Sequence, residues 1–307
     1  MRMIIGTLAL TAMVGCSGPD EVALEHRSSQ EVQARGLAFD EAGSIANVGM
    51  VNTTCNVNTQ MGTVEADYDY GNSAETVTDG GELFSLGQVN IVLTPDEVHV
   101  TTPDIAPYQA SYPQAGVVDA GLTGDGFVAV ADDGSVSWSA FDGTPVQDVT
   151  TGLSTASGAD LVADRSTGNV FLSADQGVFA VGRDGATFEV RSEPGLVAWD
   201  ASADALYVAT PGTSTLEAYE ADGTLRWAVD LDGTIQALTH MGSTGRAALS
   251  LDTSAGGEFV VVDGATGMVT SDIATPSAAQ RLHVSGNGHV LAVTLPSAVH
   301  FFDITAQ

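Results

Sequence analysis

The most constraining feature of this sequence is a unit of four short apolar segments joined by tight turns, which is clearest over residues 196–231. Turns at Pro211-Gly212 and Asp222-Gly223 separate segments that are too short to be helices. Parallel neighbours need long crossover connections, so segments joined in this way form consecutive antiparallel hairpins. The unit therefore predicts one sheet of four antiparallel strands, over residues 196–199, 206–210, 216–219 and 225–229.

The second segment of this unit recurs along the chain at intervals of roughly 40 residues. Each copy is followed by a third apolar segment and then by a turn that contains aspartate, such as Asp184-Gly185. A four-stranded unit of this length, repeated around an axis, is typical of a β-propeller blade. Helix-pair repeats have a similar period, but they need helical spacing of apolar residues, which this chain lacks. The sequence therefore predicts an all-β propeller, with copies of the second strand beginning at Ile91, Phe127, Val170, Leu206, Ala247 and Val290.

Six repeats are visible in the sequence, and seven blades are the favoured total. The last repeat, residues 282–307, offers three strands before the sequence ends. In a propeller the missing fourth strand is normally supplied by the other terminus, which closes the ring and removes exposed edges. Residues 47–81 alternate weakly and are predicted to close the ring and to hold most of a further blade. The propeller domain is accordingly predicted to span residues 47–307.

The N-terminal residues resemble an export signal. Residues 1–15 begin with Arg2 and continue with an apolar run that is too short to span a membrane. Met13-Val14-Gly15-Cys16 resembles the lipobox of bacterial lipoproteins, which implies that Cys16 becomes a lipidated N-terminus in the bilayer. In that family Ser17 implies sorting to the outer membrane. The alternative is an ordinary secretory signal followed by a fortuitous cysteine. The polar, acidic residues 16–46 are predicted to form the lipidated N-terminus and a tether.

The charge balance excludes one class of partner. The chain has 39 acidic residues against nine arginines and no lysine, and its formal net charge is −30. A body of this charge repels phosphate backbones, so nucleic-acid binding is not expected. The acidity is compatible with solubility in a saline setting, with a surface for divalent cations, or with complementarity to a basic partner.

The sequence contains no local motif for catalysis. Serine-hydrolase, zinc-protease, dithiol and phosphate-loop motifs are all absent, so no catalytic residue is assigned. Gly124-Asp125-Gly126 is predicted to be a hairpin turn rather than a dinucleotide site. Four histidines, at different offsets within their repeats, were considered as metal ligands, but their spacing predicts no metal site. No cofactor is expected, although Ca²⁺ remains a possibility. The four histidines are His240, His283, His289 and His300.

Two repeats resemble those of a known superfamily. Asp263, Thr266 and Gly267 match the Asp-x-x-Thr-Gly turn of the pyrroloquinoline-quinone-type and WD-repeat-like propellers, and Trp227 matches their tryptophan. The resemblance covers roughly residues 82–307. Quinoprotein enzymes of this superfamily use a vicinal cysteine pair, and Cys55 has no such partner, which argues against the quinone cofactor. The lipid-anchored propeller of the outer-membrane barrel-assembly machinery is similar in plan, as a binding scaffold without catalysis.

These observations together predict a lipid-anchored β-propeller of the bacterial cell envelope, sorted to the outer membrane, that binds a protein partner or another ligand without catalysis. The alternative is a propeller hydrolase or lactonase that holds a divalent cation in its central channel. Three or more carboxylates or histidines converging at the axis would favour the enzyme.

The anchor can be tested by the substitution Cys16→Ser. Each buried methylene of an acyl chain contributes about 0.8 kcal/mol, so a chain with two or three acyl groups should be firmly attached to the bilayer. We expect the variant to be soluble or unprocessed, while the parent enters the detergent-rich phase on phase separation. Recovery of both proteins in the detergent-rich phase would contradict lipidation at Cys16.

Overall fold

In the computed structural model, 28 strands and one short 3-10 helix are described. The described residues are 22–31, 36–39, 45–50, 53–61, 63–69, 83–86, 89–93, 97–101, 110–113, 116–275, 277–285 and 288–306. No helix within these ranges is long and apolar enough to cross a bilayer. Cys16 lies outside the described residues.

The strands are grouped here into blades 1 to 7 in chain order. The first strand along the chain, β1, is Val22–Gln30. Blade 1 contains β2 (Gly36–Phe39), β3 (Ile45–Met50), β4 (Thr53–Asn58) and β5 (Thr63–Asp69). Blade 2 contains β6 (Leu83–Leu86), β7 (Val89–Leu93), β8 (Glu97–Thr101) and β9 (Ala110–Pro113). Blade 3 contains β10 (Val117–Leu122), β11 (Gly126–Ala131), β12 (Ser135–Ala140) and β13 (Pro145–Thr150).

Blade 4 contains β14 (Asp160–Ala163), β15 (Val170–Ala174), β16 (Gly177–Val181) and β17 (Thr187–Arg191). Blade 5 contains β18 (Leu196–Asp200), β19 (Ala205–Ala209), β20 (Thr215–Tyr219) and β21 (Leu225–Asp230). Blade 6 contains β22 (Thr234–His240), the 3-10 helix Gly242–Thr244, β23 (Arg246–Thr253), β24 (Gly256–Asp263) and β25 (Val269–Thr275). Blade 7 contains β26 (Arg281–Val284), β27 (Val290–Leu295) and β28 (Ala298–Ala306), with β1 as its fourth strand.

The seven sheets are antiparallel and arranged as a ring. The inner strands β2, β6, β10, β14, β18, β22 and β26 are neighbours in chain order, and β26 returns to lie next to β2. This arrangement confirms the prediction of a propeller with seven four-stranded blades closed by the N-terminal segment.

The strand that closes the ring is not the one predicted. β1 pairs with β28 in antiparallel register, from Val22 opposite Ala306 to Gln30 opposite Val299. Residues 47–69 belong instead to blade 1, whose first strand β2 also lies within the predicted tether. The interpretation of residues 16–46 as a tether is therefore wrong for β1 and β2. An outermost strand has a solvent-exposed edge, so β1 can carry exposed polar residues such as Glu25 and Ser29 and resemble a linker in sequence.

Side chains of β1 also connect blade 7 to blade 1. The Arg27 guanidinium donates to Asp303 Oδ1 at 3.0 Å from Nε and at 2.7 Å from one terminal nitrogen. Its other terminal nitrogen donates to Thr59 Oγ1 at 2.7 Å, in the turn after β4. The Ser28 hydroxyl donates to the Thr59 carbonyl. Arg27 thus fixes the closing strand both to its own sheet and to the next blade.

In blades 3 to 7 the apolar core lies between neighbouring blades. Every residue of β11, β15 and β19 is buried, because the second strand of each sheet is covered on both faces by neighbouring blades. Such strands carry continuous apolar runs rather than alternating ones. Tyr207, Leu216 and Ala218 of blade 5, for example, pack with Ile235, Leu249 and Val262 of blade 6. Each sheet therefore depends on two neighbours for its burial.

Closure can be tested by comparing two deletions. Removing residues 17–30 uncovers β28 and should cause aggregation and loss of a cooperative melting transition, because a free sheet edge is exposed. Removing only residues 17–21 should leave the melting temperature unchanged. The point variant Arg27→Met should lower the free energy of unfolding by about 1–3 kcal/mol, since it leaves buried polar groups without their donor. A chain without residues 17–30 that melts like the parent would overturn this role of β1.

Candidate functional site

Aspartates of the inner strands hold successive blades together. Asp119 of β10 is almost completely buried, and its Oδ2 accepts the backbone N–H of Leu161 in the next inner strand at 2.6 Å. Asp160 of β14 repeats this contact with the N–H of Val197, also at 2.6 Å. Each carboxylate satisfies a backbone donor that would otherwise be unpaired near the axis. These acidic residues therefore act in blade-to-blade contacts.

Two further aspartates shape the turns that follow β14 and β18. Asp164 Oδ1 accepts the backbone N–H and the hydroxyl of Ser166, at 2.9 and 2.8 Å. Asp200 Oδ1 accepts the same two donors from Ser202, at 2.9 and 2.6 Å. Repeated blades are related by rotation about the axis, so these turns gather at one end of the channel. We call this end the channel mouth and define it by Asp164, Arg165, Trp199, Asp200 and His240.

An aromatic or imidazole side chain from the following blade lies next to each of these turns. The Trp199 indole of blade 5 packs on Phe171 of blade 4, with ring centroids 4.7 Å apart, and its N–H faces Asp164 without full hydrogen-bond geometry. Burial raises the pKa of Asp164, but hydrogen bonds from Thr167 and Ser166, helped by the nearby Trp199 N–H, outweigh it and hold the pKa below its usual value. The contact therefore joins two blades and keeps the carboxylate ionised.

His240 of blade 6 occupies the equivalent place next to Asp200 of blade 5. Burial lowers the pKa of His240, the Asp200 carboxylate opposes this, and Arg165 adds to it. The Tyr207 hydroxyl also faces Asp200, and its pKa is raised by burial and by that carboxylate. Asp200, Tyr207 and His240 thus lie close together at the interface between blades 5 and 6, where Asp200 Oδ2 and the Tyr207 hydroxyl form no hydrogen bond of regular geometry within the described residues.

Arg165 is the cation of the channel mouth. Burial lowers the pKa of its guanidinium, and within the described ranges it has no carboxylate partner. Arg27, Arg183 and Arg226, in contrast, each bind a carboxylate directly. In the described ranges the mouth therefore combines the Arg165 guanidinium with two carboxylates, Asp164 and Asp200, that accept hydrogen bonds from their own turns.

The histidines considered as metal ligands are not brought together. His240 and His283 lie on the inner strands of different blades, His289 precedes β27, and His300 lies on β28, where its ring is 5.9 Å from that of His26. In the part of the chain that the structure describes, no group of three or more His, Cys, Asp or Glu side chains is arranged to hold a metal ion. The carboxylate of Asp125, in the turn between β10 and β11, accepts two hydrogen bonds from the Arg183 guanidinium, at 2.5 and 3.0 Å.

Sequence reasoning missed a set of exposed apolar side chains on the outside of the ring. They lie at or near the start of the outermost strand in four successive blades, a few residues after the aspartate turn that precedes it. This spacing is present in the sequence, but sequence alone does not show whether an apolar residue at a strand start is covered or exposed. We call this set the outer rim; its members are Val146 (52% exposed), Phe188 (43%), Leu225 (51%), Met268 (67%) and Val269 (46%).

His283 makes the fold sensitive to acid. Burial and the nearby Arg281 lower the pKa of His283 to about 3, and its Nε2 is buried without a hydrogen-bond partner among the residues that the structure describes. An unfolded histidine binds a proton near pH 6.5, so below that pH the unfolded state binds a proton that the native state does not. Stability should therefore fall as the pH falls from about 6.5 towards 3.

The substitution His283→Gln removes this titration. Between pH 7 and pH 5 the variant should lose about 2 kcal/mol less unfolding free energy than the parent, as measured by urea denaturation at both pH values. His289→Gln, at an exposed position in the same blade, serves as the control and should behave like the parent. An equal loss in the parent and in His283→Gln would show that His283 is not the titrating group.

Comparison with known proteins supports the fold and gives no family. No family model matches the sequence, and no curated protein matches it. The structure is similar to the crystal structure of BBS1N in complex with ARL6DN, soaked with mercury, with a TM-score of 0.72. The two chains are 12% identical, and the similarity covers 93% of this chain and 98% of that chain. BBS1N is a β-propeller, so the comparison places this chain in the same fold and carries no further assignment.

Proposed function

We propose that this protein is a lipid-anchored β-propeller of the bacterial cell envelope that binds a protein partner and catalyses no reaction. The observation that carries the proposal is the contrast between the interior and the outside of the ring. Inner-strand carboxylates such as Asp119 and Asp160 are used in contacts between blades. The outside presents apolar side chains at recurring positions instead.

The fold and its solved relative support a binding role. Propellers present a rigid surface built from many short strands, and fold alone does not assign an activity. BBS1N was crystallised in complex with ARL6DN, so a propeller of this general shape is known in a protein complex. By analogy, we propose that the present chain also acts through protein binding.

The cellular setting is proposed from the N-terminal sequence. The match to the lipobox at Cys16 and the preceding apolar run support export and lipidation, and Ser17 supports sorting to the outer membrane. Stable anchoring takes two membrane-binding signals, which a cysteine with more than one acyl chain would supply.

The proposal can be tested by affinity purification of the tagged mature protein from detergent-solubilised envelopes. We expect one envelope protein to be recovered in a fixed ratio, and to bind again when both proteins are purified and mixed. The reconstituted complex should weaken as salt increases, since the chain carries a net charge of −30. A saturable, calcium-specific rise in melting temperature that is lost on removing one channel carboxylate would instead favour a hydrolase.

A further inference from the structure

We propose that the outer rim of blades 4, 5 and 6 is the partner-binding surface, and that its occupant is an extended protein segment in which lysine or arginine alternates with apolar residues. This inference rests on the proposed function as a binding scaffold. It adds the place of binding and the chemistry of the partner.

The apolar side chains of the rim form a strip that recurs on three successive blades, and neighbouring blades touch at this level. Phe188 at the start of β17 lies against Gly223, in the turn that precedes β21 of the next blade; a Cβ on Gly223 would lie 3.7 Å from the Phe188 ring. Leu225 follows two positions later and is half exposed. Blades 4 and 5 therefore touch at the level of the rim, with Phe188 of blade 4 against the turn that leads to Leu225 of blade 5.

The same contact recurs between blades 5 and 6. The Trp227 indole lies against Gly267, where a Cβ would come within 2.9 Å of the ring carbons. Gly267 has a φ of +73°, a conformation that residues with side chains disfavour. The close Trp227 ring and the backbone conformation therefore both favour glycine at this position. Met268 and Val269 follow at once and are 67% and 46% exposed. Single exposed apolar residues need no explanation, but a strip repeated over adjacent blades is typical of an interaction site.

The charge around the strip is negative and uncompensated. Exposed carboxylates flank the apolar residues on the outermost strands and the turns before them, and none of them forms an ion pair with an arginine within the described part of the chain. Hydrogen bonds from Thr224 lower the pKa of Asp222, so this carboxylate stays ionised in mildly acidic solution. The flanking residues are Asp184, Glu189, Asp222 and Asp272.

The arginines of this region are already neutralised. Arg226 donates to Glu220 from two nitrogens, each at 2.5 Å. Arg191 binds Glu217 at 2.6 Å and Glu193 at 3.2 Å. Like charges brought together across an interface oppose binding, so an acidic segment is disfavoured here and a basic one is favoured. Apolar side chains of the occupant would cover the strip, and its cationic side chains would meet the carboxylates on either side.

The proposal can be tested with two synthetic peptides, one of alternating lysine and valine and one of alternating glutamate and valine, each carrying a fluorescent label. We expect the lysine peptide to bind the full-length protein, with affinity that falls as salt increases, and the glutamate peptide not to bind. The double variants Leu225→Ser/Met268→Ser and Glu189→Lys/Asp272→Lys should each weaken binding at least tenfold, as measured by fluorescence anisotropy. These positions are exposed, so both variants should melt like the parent.

Matched controls separate the rim from the remaining surface. Met61→Ser removes an equally exposed apolar side chain in blade 1, and Asp252→Lys reverses an exposed charge on β23, so neither should change binding.

Absence of lysine-peptide binding, or equal binding by the rim variants, would overturn the proposal. The same variants should fail to retain the envelope protein recovered by affinity purification. If the parent and the rim variants retain that protein equally, the assignment of the rim as the binding surface is wrong, while the scaffold function stands. If the parent retains no protein, the proposed function itself fails.

Discussion

Every blade of this protein needs a neighbour on each side, and this requirement makes closure of the ring the condition for all other contacts. A four-stranded sheet with two apolar faces cannot bury both alone. The pairing of β1 with β28 completes blade 7, and the Arg27 contacts with Asp303 and Thr59 connect that blade to blade 1. The first strand of the fold thus supports the last, and the stability of each interface depends on an intact ring.

The hydrogen bonds between the inner strands of successive blades follow from the same requirement. Inner strands approach one another around the axis, where backbone N–H groups at the sheet margins have no strand partner. Asp119 and Asp160 accept such donors from the next blade, and Ser173 and Ser250 do the same for Gly195 and Ala279. Burying a carboxylate is costly unless it is hydrogen-bonded, so these aspartates are committed to their partners. The carboxylates of Asp119 and Asp160 on the inner strands thus serve the contact between blades.

The sequence predicted the fold well because its evidence is local. Asp-Gly turns and the continuous apolar runs of β11, β15 and β19 lie within single repeats, and they fix strand order without any long-range information. The closing strand escaped prediction because an outermost strand can be polar, as β1 is around Glu25. The channel mouth escaped because its contacts, such as Trp199 with Asp164, join residues of different blades. The outer rim escaped because strand-start apolar residues look the same in sequence whether they are covered or exposed.

The position of β1 also has a consequence for the orientation of the molecule at the membrane. Val22 follows Cys16 by six positions, so a fully extended link between a lipidated Cys16 and the body spans only about 20 Å. Such a short link would keep the outer edge of blade 7 within about 20 Å of the headgroups. In a ring of seven, the blades farthest from blade 7 are blades 3 and 4. Of the three blades of the rim, blade 4 would then be the one farthest from the point of attachment to the bilayer.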